Sequence, residues 1–351
     1  MSSAEIDGAA LRALVAAVVN LALGSDGRAA GVRYPSRVER REGLDALPLE
    51  HARSVVTVGF FDGVHLGHRE VLRTTVDRAR ARDAPAVAVT FDRHPREVLT
   101  PGSEPRLLTA VDRKAGLIEE LGIDELLVLP FTEEFSRWPA DRFMAQVLRD
   151  GLHAEHCVMG ANFTFGHKAK GNVELLIAEG GAYGLTAERV ELHDLEGRVV
   201  SSSSIREALA EGDLDWPHRA LGRRFVLDGV VVSGAGRGQG LGFPTANLET
   251  WPRLLLPKQG IYAGRAGVEG TWHLAAIDVG TNPTFGTEPL HVEAYLLDFE
   301  GDLVGRPIAI EFWAYLRPEV RFGSEGELTH AIDDDVRRTR ELVDPGDRAG
   351  T

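Results

Sequence analysis

Cysteine is nearly absent from this sequence of 351 residues, because Cys157 is the only one. A single cysteine excludes an intramolecular disulfide and favours a reducing compartment, so we expect a cytoplasmic protein with Cys157 buried in a strand. No segment approaches the roughly 20 apolar residues that span a bilayer. The apolar run Leu11–Leu23 follows acidic residues instead of the cationic start of a signal peptide. We therefore expect no association with a membrane.

Positive charge is also scarce, with 39 Lys and Arg against 53 Asp and Glu and a net charge of −14. An acidic surface repels a phosphate backbone, which argues against nucleic acid as a partner. A free nucleotide needs only a local pocket and is not excluded. The hydrophobic fraction of 43% suffices for the cores of two ordinary domains. Oligomerisation is left open.

Short apolar strands alternate with helices through the first half of the chain. We predict strands at Val55–Val58, Ala86–Phe91, Glu125–Pro130, His156–Gly160 and Thr186–Leu192, and helices at Arg69–Ala81, Asp112–Leu121, Ala140–Arg149, Val173–Glu179 and Ile205–Glu211. This alternation predicts an α/β domain with a parallel, Rossmann-like sheet. Residues 1–52 carry no motif, and Arg37–Glu42 is expected to be a charged connector. For this extension, an appended helix, a disordered segment and a segment that is not native are open alternatives.

The first segment with chemical content is Val55–His68, which reads VVTVGFFDGVHLGH. A buried strand ends at Gly59, and the turn through Phe60, Asp62 and Gly63 allows a close approach of the backbone to a ligand. His65 and His68 share one face of the helix that follows. A helix N-terminus with two imidazoles is suited to phosphate that gains charge in a transition state. A plain β-to-α turn with two surface histidines is the alternative.

A run of serines begins another helix in the first half. Ser201, Ser202, Ser203 and Ser204 precede Arg206. One or two serines suffice to cap a helix, so the longer run predicts that hydroxyls, helix N–H groups and the arginine together hold a triphosphate.

From Leu221 onward short strands recur with Gly and Pro turns. We predict strands at Phe225–Val232, Gly260–Ala266, His273–Val279, Leu290–Asp298 and Arg306–Leu316, and an amphipathic helix at Glu325–Leu342. This pattern is typical of an antiparallel barrel or a sandwich, with the helix packed on it.

The second segment with chemical content is Ser233–Asn247, SGAGRGQGLGFPTAN. The loop at Gly234, Gly236, Arg237 and Gly238 is able to fold around phosphates, although no Gly-Lys-Ser/Thr of a Walker motif follows. Thr245 and Asn247 alternate to the same side of an extended segment and offer two neutral oxygens to Mg²⁺. A mobile hairpin is the alternative for the glycines alone.

Both segments resemble known signatures. The string GFFDGVHLGH resembles that of HIGH-type nucleotidyltransferases, in the form found in bacterial bifunctional riboflavin kinase/FAD synthetases. The segments TFDRHPREVL, GANFTFGHKAKGN and SSSSIRE are similar to later motifs of that module. Arg93 replaces the usual Pro, Asn162 stands where Asp or Asn occurs, and Ser203 replaces Thr. None of these departures removes a group that the chemistry requires.

The second segment resembles the riboflavin kinase signature, followed by AAIDVGTNPTFG and HVEAYLLDF. The resemblance implies that Thr245 and Asn247 hold metal and ATP and that Glu293 is the catalytic base. It also implies that Arg317 and Phe322 lie near the flavin. It covers residues 54–342 and implies a nucleotidyltransferase domain at 53–212, a linker at 213–221 and a β-barrel kinase domain with a C-terminal helix at 222–345.

The expected function is therefore phosphorylation of riboflavin to FMN, followed by adenylylation of FMN to FAD with release of pyrophosphate. ATP would be the co-substrate of both steps, and Mg²⁺ the cofactor. Two rivals remain open. A monofunctional adenylyltransferase of another specificity would leave the PTAN string and the Glu293 strand unexplained. A flavin-binding protein without turnover would retain the same motifs.

Overall fold

The structure is a computed structural model that describes residues 38–234, 243–251, 253–281 and 290–344. These residues divide into two compact units. The α/β unit comprises residues 38–205 and 220–222, and the barrel unit comprises residues 206–219 together with the described residues from 223 onward. The residues before 38, which include most of the predicted extension, lie outside the described ranges.

A six-stranded parallel sheet forms the centre of the α/β unit, in the order β1-β4-β3-β2-β5-β8. The strands of this unit, including two short hairpins, are β1 Glu39–Glu42, β2 Ser54–Val58, β3 Ala86–Phe91, β4 Glu125–Leu129, β5 Ala154–Gly160, β6 Thr164–Phe165, β7 Gly171–Asn172, β8 Thr186–Val190, β9 Asp194–Leu195 and β10 Arg198–Val199. Every residue of β2 is buried. Val56 and Val58 face one hydrophobic cluster and Val55 faces another, so the central strands are covered on both faces.

Helices flank this sheet. They are α1 Leu66–Ala81, α2 Pro95–Leu99, α3 Val111–Glu119, α4 Glu133–Ser136, α5 Ala140–Arg142 with the π-helix Phe143–Arg149, and α6 Val173–Glu179. The next helix, α7 Ser202–Glu211, begins in this unit and continues into the barrel unit from Arg206 onward. Single 3₁₀ turns lie at Leu44–Ala46, His167–Ala169 and Gly180–Tyr183. The predicted Rossmann-like architecture is confirmed. The helix predicted at Ala140–Arg149 differs, because it becomes a π-helix from Phe143 onward.

The charged segment Arg37–Glu42 is more than a connector. Its described part contains β1, which pairs in parallel with β4 at the sheet edge. Arg40 forms an ion pair with Asp112 at 2.6 Å, and Arg41 reaches Glu125 at 3.1 Å. Alternating charge at an edge strand is satisfied by neighbouring acidic side chains, which explains why the sequence pattern resembles a linker.

The barrel unit is a closed antiparallel barrel in the order β11-β12-β15-β14-β13-β16. Its elements are α8 Asp215–Leu221, β11 Phe225–Val232, β12 Thr245–Thr250, β13 Gly260–Val268, β14 Thr271–Gly280, β15 His291–Leu296, β16 Pro307–Arg317 and α9 Glu325–Leu342. Of the two alternatives, the barrel is observed and the sandwich is not. The amphipathic helix α9 packs on β13, β14 and β16, as predicted.

One expectation from composition also has a structural counterpart. Cys157 is buried in β5, and burial raises the pKa of its thiol to about 12, so the thiol is inert at neutral pH. Across the described ranges, no helix combines the length and apolar composition needed to cross a membrane.

Candidate active sites

The first candidate site lies at the carboxyl end of β2. This strand pairs with β3 on one side and with β5 on the other, so the strand order reverses here. In parallel α/β sheets, ligands bind in the crevice at such a switch point. The loop Gly59–Val64 follows β2, and the exposed Asn162 follows β5, so these two predicted site segments lie at neighbouring strand ends.

His65 and His68 form a stacked pair at the N-terminus of α1. His65 is the N-cap, and its Nδ1 atom accepts a hydrogen bond from the His68 backbone N–H at 3.3 Å. The ring centroids are 3.6 Å apart and the planes are tilted by 18°. Two imidazoles at the positive end of a 16-residue helix are an arrangement that favours an anion over a cation.

The loop that delivers these histidines has an uncommon backbone conformation. Phe61 and Val64 have φ of 52° and 41°, although neither is glycine and Val64 is β-branched. Gly63 has φ of 82°, and a Cβ atom added there would lie 2.8 Å from the Leu108 Cδ1 atom. The turn therefore requires glycine at position 63 and external contacts to hold its other residues.

Asp62 provides one such contact. Its side chain is buried, and its carboxylate accepts the backbone N–H groups of Leu108 at 2.9 Å and Thr109 at 3.1 Å. The Gly63 N–H donates to the Thr109 hydroxyl at 3.1 Å. This places Asp62 as the anchor of the turn. Its predicted contact with nucleotide stays a prediction.

The serine run is divided among different tasks. Ser201 caps α7, because its hydroxyl accepts the Ser204 N–H at 3.1 Å. The Ser202 hydroxyl donates to the Asp62 carbonyl at 2.9 Å and so joins the helix N-terminus to the turn. Ser203 is exposed, and Arg206 follows one turn later in α7. The run thus does more than cap the helix. Its predicted contact with a triphosphate stays a prediction.

The second candidate site is a row of polar side chains across three neighbouring barrel strands. Asn247 on β12 is paired in register with Glu293 on β15, and Glu293 is paired with Asp278 on β14. The Thr245 hydroxyl donates to Glu293 Oε2 at 3.1 Å. Residues 245 and 247 alternate with buried apolar residues, so both lie on the same face, as predicted.

Acidic groups dominate the electrostatics around Glu293. His291 Nε2 lies 3.4 Å from Glu293 Oε1, and this hydrogen bond is the main cause that raises the pKa of His291. Burial, followed by the charges of Glu319 and Glu293, raises the pKa of Asp278 to about 7. The Asp278 carboxyl group, held among other carboxylates, is therefore able to exchange a proton near neutral pH.

A cavity of about 310 Å³ opens at the Thr245 and Asn247 end of this row. It is lined by the end of β11, by Ser233 and Gly234, by Pro244–Asn247, by Leu296 at the end of β15, and by residues 299 and 301 to 304. Gly234 lies so close to Asn247 that an added Cβ atom would overlap the Asn247 amide. The predicted phosphate-binding residues Gly236, Arg237 and Gly238 lie outside the described residues.

Arg317 and Phe322, expected near the flavin, lie together at one end of the barrel. The Arg317 guanidinium is 5.6 Å from the Phe322 ring centroid. It donates to the Asp335 carboxylate on α9 at 2.7 Å through Nη2. This ion pair fixes the guanidinium, and a flavin contact of either residue stays a prediction.

Sequence reasoning missed several polar residues of these sites. Asp278 and His291 lie in AAIDVGTNPTFG and HVEAYLLDF, and strand alternation would have placed Asp278 on the same face as Glu293. Thr109 and Lys114 belong to no motif, and they contact the first loop from a distant part of the chain. The one signal in the sequence for Lys114 is that a charged residue occupies the apolar face of α3.

Comparisons with known proteins match the α/β segment and the barrel segment of the chain separately. The family model for FAD synthetase matches residues 47–204, and the model for riboflavin kinase matches residues 221–343. A bifunctional riboflavin kinase/FMN adenylyltransferase from Pseudomonas fluorescens is 37% identical over 304 residues, which cover 86% of this chain and 97% of the relative. The protein of the same name from Bacillus subtilis is 35% identical over 291 residues, or 82% of this chain and 91% of the relative.

Among solved structures, the crystal structure of a macrolide-efflux protein from Streptococcus pneumoniae is similar to this chain. The TM-score is 0.78 at 27% sequence identity, and the match covers 88% of this chain and 100% of the other.

Proposed function

The chain belongs to the bifunctional riboflavin kinase/FMN adenylyltransferase family, and on that premise we propose which residues perform the two reactions. The α/β unit is the FMN adenylyltransferase, also called FAD synthetase, and the barrel unit is the riboflavin kinase. Both activities use ATP as a substrate. Riboflavin, FMN and ATP are thus the small-molecule partners. A cytoplasmic location, favoured by the single cysteine, is part of the proposal.

In the adenylyltransferase site, we assign His65 and His68 to the phosphates of ATP. The FMN phosphate itself attacks the α-phosphorus and pyrophosphate leaves, so no side-chain nucleophile is required. Catalysis then consists of positioning and charge stabilisation. The observation that carries this assignment is the stacked histidine pair at the N-terminus of α1. Exposed Asn162 and Ser203, the backbone of Gly59–Gly63, and Arg206 complete the proposed nucleotide contacts.

In the kinase site, we assign Glu293 as the general base. Its carboxylate would accept the proton of the primary ribityl hydroxyl while that oxygen attacks the γ-phosphorus. The observation that carries this assignment is the row of Asn247, Glu293 and Asp278, whose Asn247 end lines a cavity. Gly234 and the adjoining loop are assigned to the ATP phosphates, and Arg317 and Phe322 to the flavin.

The side-chain oxygens of Thr245 and Asn247 fit Mg²⁺, which prefers oxygen ligands and binds few protein groups beside phosphate and water. Both residues lie on the strand face that holds Glu293. When bound there, Mg²⁺ would neutralise the charge of the ATP phosphates. Thr245 also donates a hydrogen bond to Glu293, so the same side chain would position the base relative to the metal.

One incubation tests the function. The purified chain is supplied with riboflavin, ATP and Mg²⁺, and the flavins are separated by chromatography. We expect FMN first and FAD later, and FAD directly when FMN replaces riboflavin. Accumulation of FMN without FAD would contradict adenylyl transfer in the α/β unit. Absence of any new flavin would support the rival of a flavin-binding protein.

A further inference from the structure

A lysine ammonium lies buried beneath the loop of the adenylyltransferase site. Lys114 is on α3, and only 2% of its surface is exposed. Its helix positions Ala115, Leu117 and Ile118 are buried too, so Lys114 occupies the face of α3 that packs inward. Lysine is rarely buried, because transferring an ammonium from water is costly unless polar partners receive it.

Those partners belong to the loop and to β3. Lys114 Nζ donates to the Phe60 carbonyl at 2.7 Å and lies 3.4 Å from the Thr90 hydroxyl. The Thr90 hydroxyl donates to the same Phe60 carbonyl at 3.1 Å. The ammonium also lies 4.1 Å from the centroid of the Phe60 ring, within the range of a cation–π contact. Phe60 is therefore held at its carbonyl and at its ring by one side chain.

These contacts secure the part of the loop that Asp62 does not reach. Asp62 ties the second half of Gly59–Val64 to Leu108 and Thr109, whereas Lys114 and Thr90 tie its first half to α3 and β3. Between the two anchors lies Phe61, in the left-handed region. A conformation of this kind persists only when its surroundings determine it from several sides.

Stability alone does not account for a lysine at this position. An apolar side chain of similar size would fill the space without desolvating a charge, and replacing buried charges in this way is often neutral or stabilising. Burial lowers the pKa of Lys114 to about 8, while the charge of Asp62 opposes this shift and that of Arg40 adds to it. Because this pKa is still above 7, most of the ammonium remains protonated at neutral pH. The desolvation cost of Lys114 therefore arises where its ammonium contacts Phe60, in the loop before His65.

We propose that Lys114 is a positioning residue for adenylyl transfer, whose ammonium fixes Phe60 and with it the strained loop that sets His65 and His68 against the phosphates of ATP. This inference rests on the proposed adenylyltransferase function of the α/β unit. The kinase reaction serves as an internal reference in every preparation, since its assigned side chains Thr245, Asn247 and Glu293 belong to the barrel unit and Lys114 to the α/β unit.

The test compares Lys114→Met, Thr90→Val and the charge control Arg80→Met, whose side chain pairs with Asp124 on the surface. Steady-state rates are measured for FMN to FAD and for riboflavin to FMN, and hydrogen exchange is followed in peptides covering Gly59–Val64 and β5. For Lys114→Met we expect the kcat of adenylylation to fall by about 30-fold with little change in the KM for ATP, because misplaced groups lose contacts made in the transition state. Exchange should accelerate in the loop and not in β5, and riboflavin phosphorylation should be unchanged.

Thr90→Val retains the ammonium and removes the second donor to Phe60, so a smaller fall of a few-fold in kcat is expected. Arg80→Met should match the unmodified chain. Adenylylation by Lys114→Met at the unmodified rate, or a higher KM for ATP at unchanged kcat, would overturn the proposal.

Faster exchange throughout the sheet would indicate that Lys114→Met is misfolded. Thr90→Val then decides: a lower kcat with loop-only exchange supports the positioning role, and an unchanged kcat overturns it. If the unmodified chain made no FAD, the proposed function itself would fail, which is a different result from an effect of the variants.

Discussion

Buried polar residues in the α/β unit hold backbone that must adopt a strained turn. The Asp62 carboxylate receives two backbone N–H groups, and the Ser202 hydroxyl binds the Asp62 carbonyl. Removing either partner would leave a buried polar group unsatisfied, and this loss of free energy is larger than the net contribution of a typical hydrogen bond. At the residue scale, we expect the first site to depend on these anchors as much as on the histidines that we assign to the phosphates.

The buried charge of Lys114 predicts an unusual dependence of stability on pH. Its pKa is lowered from 10.5 to about 8, so below pH 8 both the folded and the unfolded chain hold the proton and the full cost of burial applies. Between pH 8 and 10.5 the unfolded chain binds more protons, and this group therefore destabilises the fold less as pH rises. Relative to Lys114→Met, the α/β unit should gain up to about 3 kcal/mol between pH 7 and 10.

The measurement is the urea midpoint of the α/β unit, read by pulse proteolysis at each pH in both proteins. The barrel unit in the same samples is the control and should show no difference between them. A constant difference between the two proteins across this pH range would contradict the lowered pKa.

A second prediction at this scale concerns Gly234. A methyl group at this position would displace the Asn247 amide, which we assign to Mg²⁺ and ATP. Gly234→Ala should therefore lower the rate of FMN formation by on the order of tenfold or more, while FMN supplied directly is still adenylylated. Gly326→Ala on α9 is a matched control, because no atom lies within 4 Å of its added Cβ. Equal rates in both alanine variants would refute the role of Asn247.

At the scale of elements, the barrel site is produced by register. Antiparallel pairing of β12, β15 and β14 brings Asn247, Glu293 and Asp278 side by side, although they are far apart in sequence. A shift of any strand by one residue would turn its polar side chain to the opposite face. The closed order of the barrel holds this register, since every strand has a partner on both sides.

A buried ion pair joins two other strands of the barrel and predicts a stability effect. Arg265 on β13 donates to both oxygens of Glu311 on β16 at 3.0 Å, and the Trp313 ring N–H donates to Glu311 at 2.8 Å. Both charged residues are at most 2% exposed. Glu311→Gln would remove the carboxylate that accepts from the buried guanidinium and should destabilise the barrel unit by about 3 kcal/mol or more.

The midpoint of urea inactivation of riboflavin phosphorylation measures this loss. Glu269→Gln is the matched control, because Glu269 forms an exposed pair with Arg306 and should matter little. If Glu311→Gln were as stable as that control, the pair would not be desolvated as the structure indicates.

At the scale of the whole molecule, the histidines of the first site belong to the α/β unit and the general base of the second site to the barrel unit. His65→Ala or His68→Ala should abolish FAD formation, with a loss of about 100-fold or more, and leave FMN formation intact. Glu293→Gln should stop FMN formation and leave adenylylation of supplied FMN intact. Chromatography of the flavins from each variant distinguishes these outcomes, and equal loss of both activities in either variant would refute the assignment to two sites.

A mixture of His68→Ala and Glu293→Gln extends this test. FMN made by the first variant is a substrate for the second, so the mixture should convert riboflavin to FAD although neither variant does so alone. No FAD from the mixture, with both single activities present, would show that FMN does not pass between molecules.

Most of the fold could be predicted because it depends on local patterns. The apolar runs at β2, β3 and β4 and the strand Phe225–Val232 lie where the sequence places them. The edge strand β1 was missed, because its alternating charges resemble a connector until acidic partners from α3 and β4 are placed beside it. The π-helix after Arg142 was missed for a similar reason, since periodicity does not distinguish it from an α-helix.

The sequence by itself determined the two chemistries, because the residue types that we assign to phosphate and metal occur in short contiguous strings: His65 with His68, and Thr245 with Asn247. Tertiary structure alone decided which side chains support them. Lys114 and Asp278 lie more than ten residues from the groups they serve, and only parallel packing in one unit and strand register in the other bring them close. The physical reason is that local spacing fixes which residues share one helix or strand face, whereas burial and charge depend on what folds against that face.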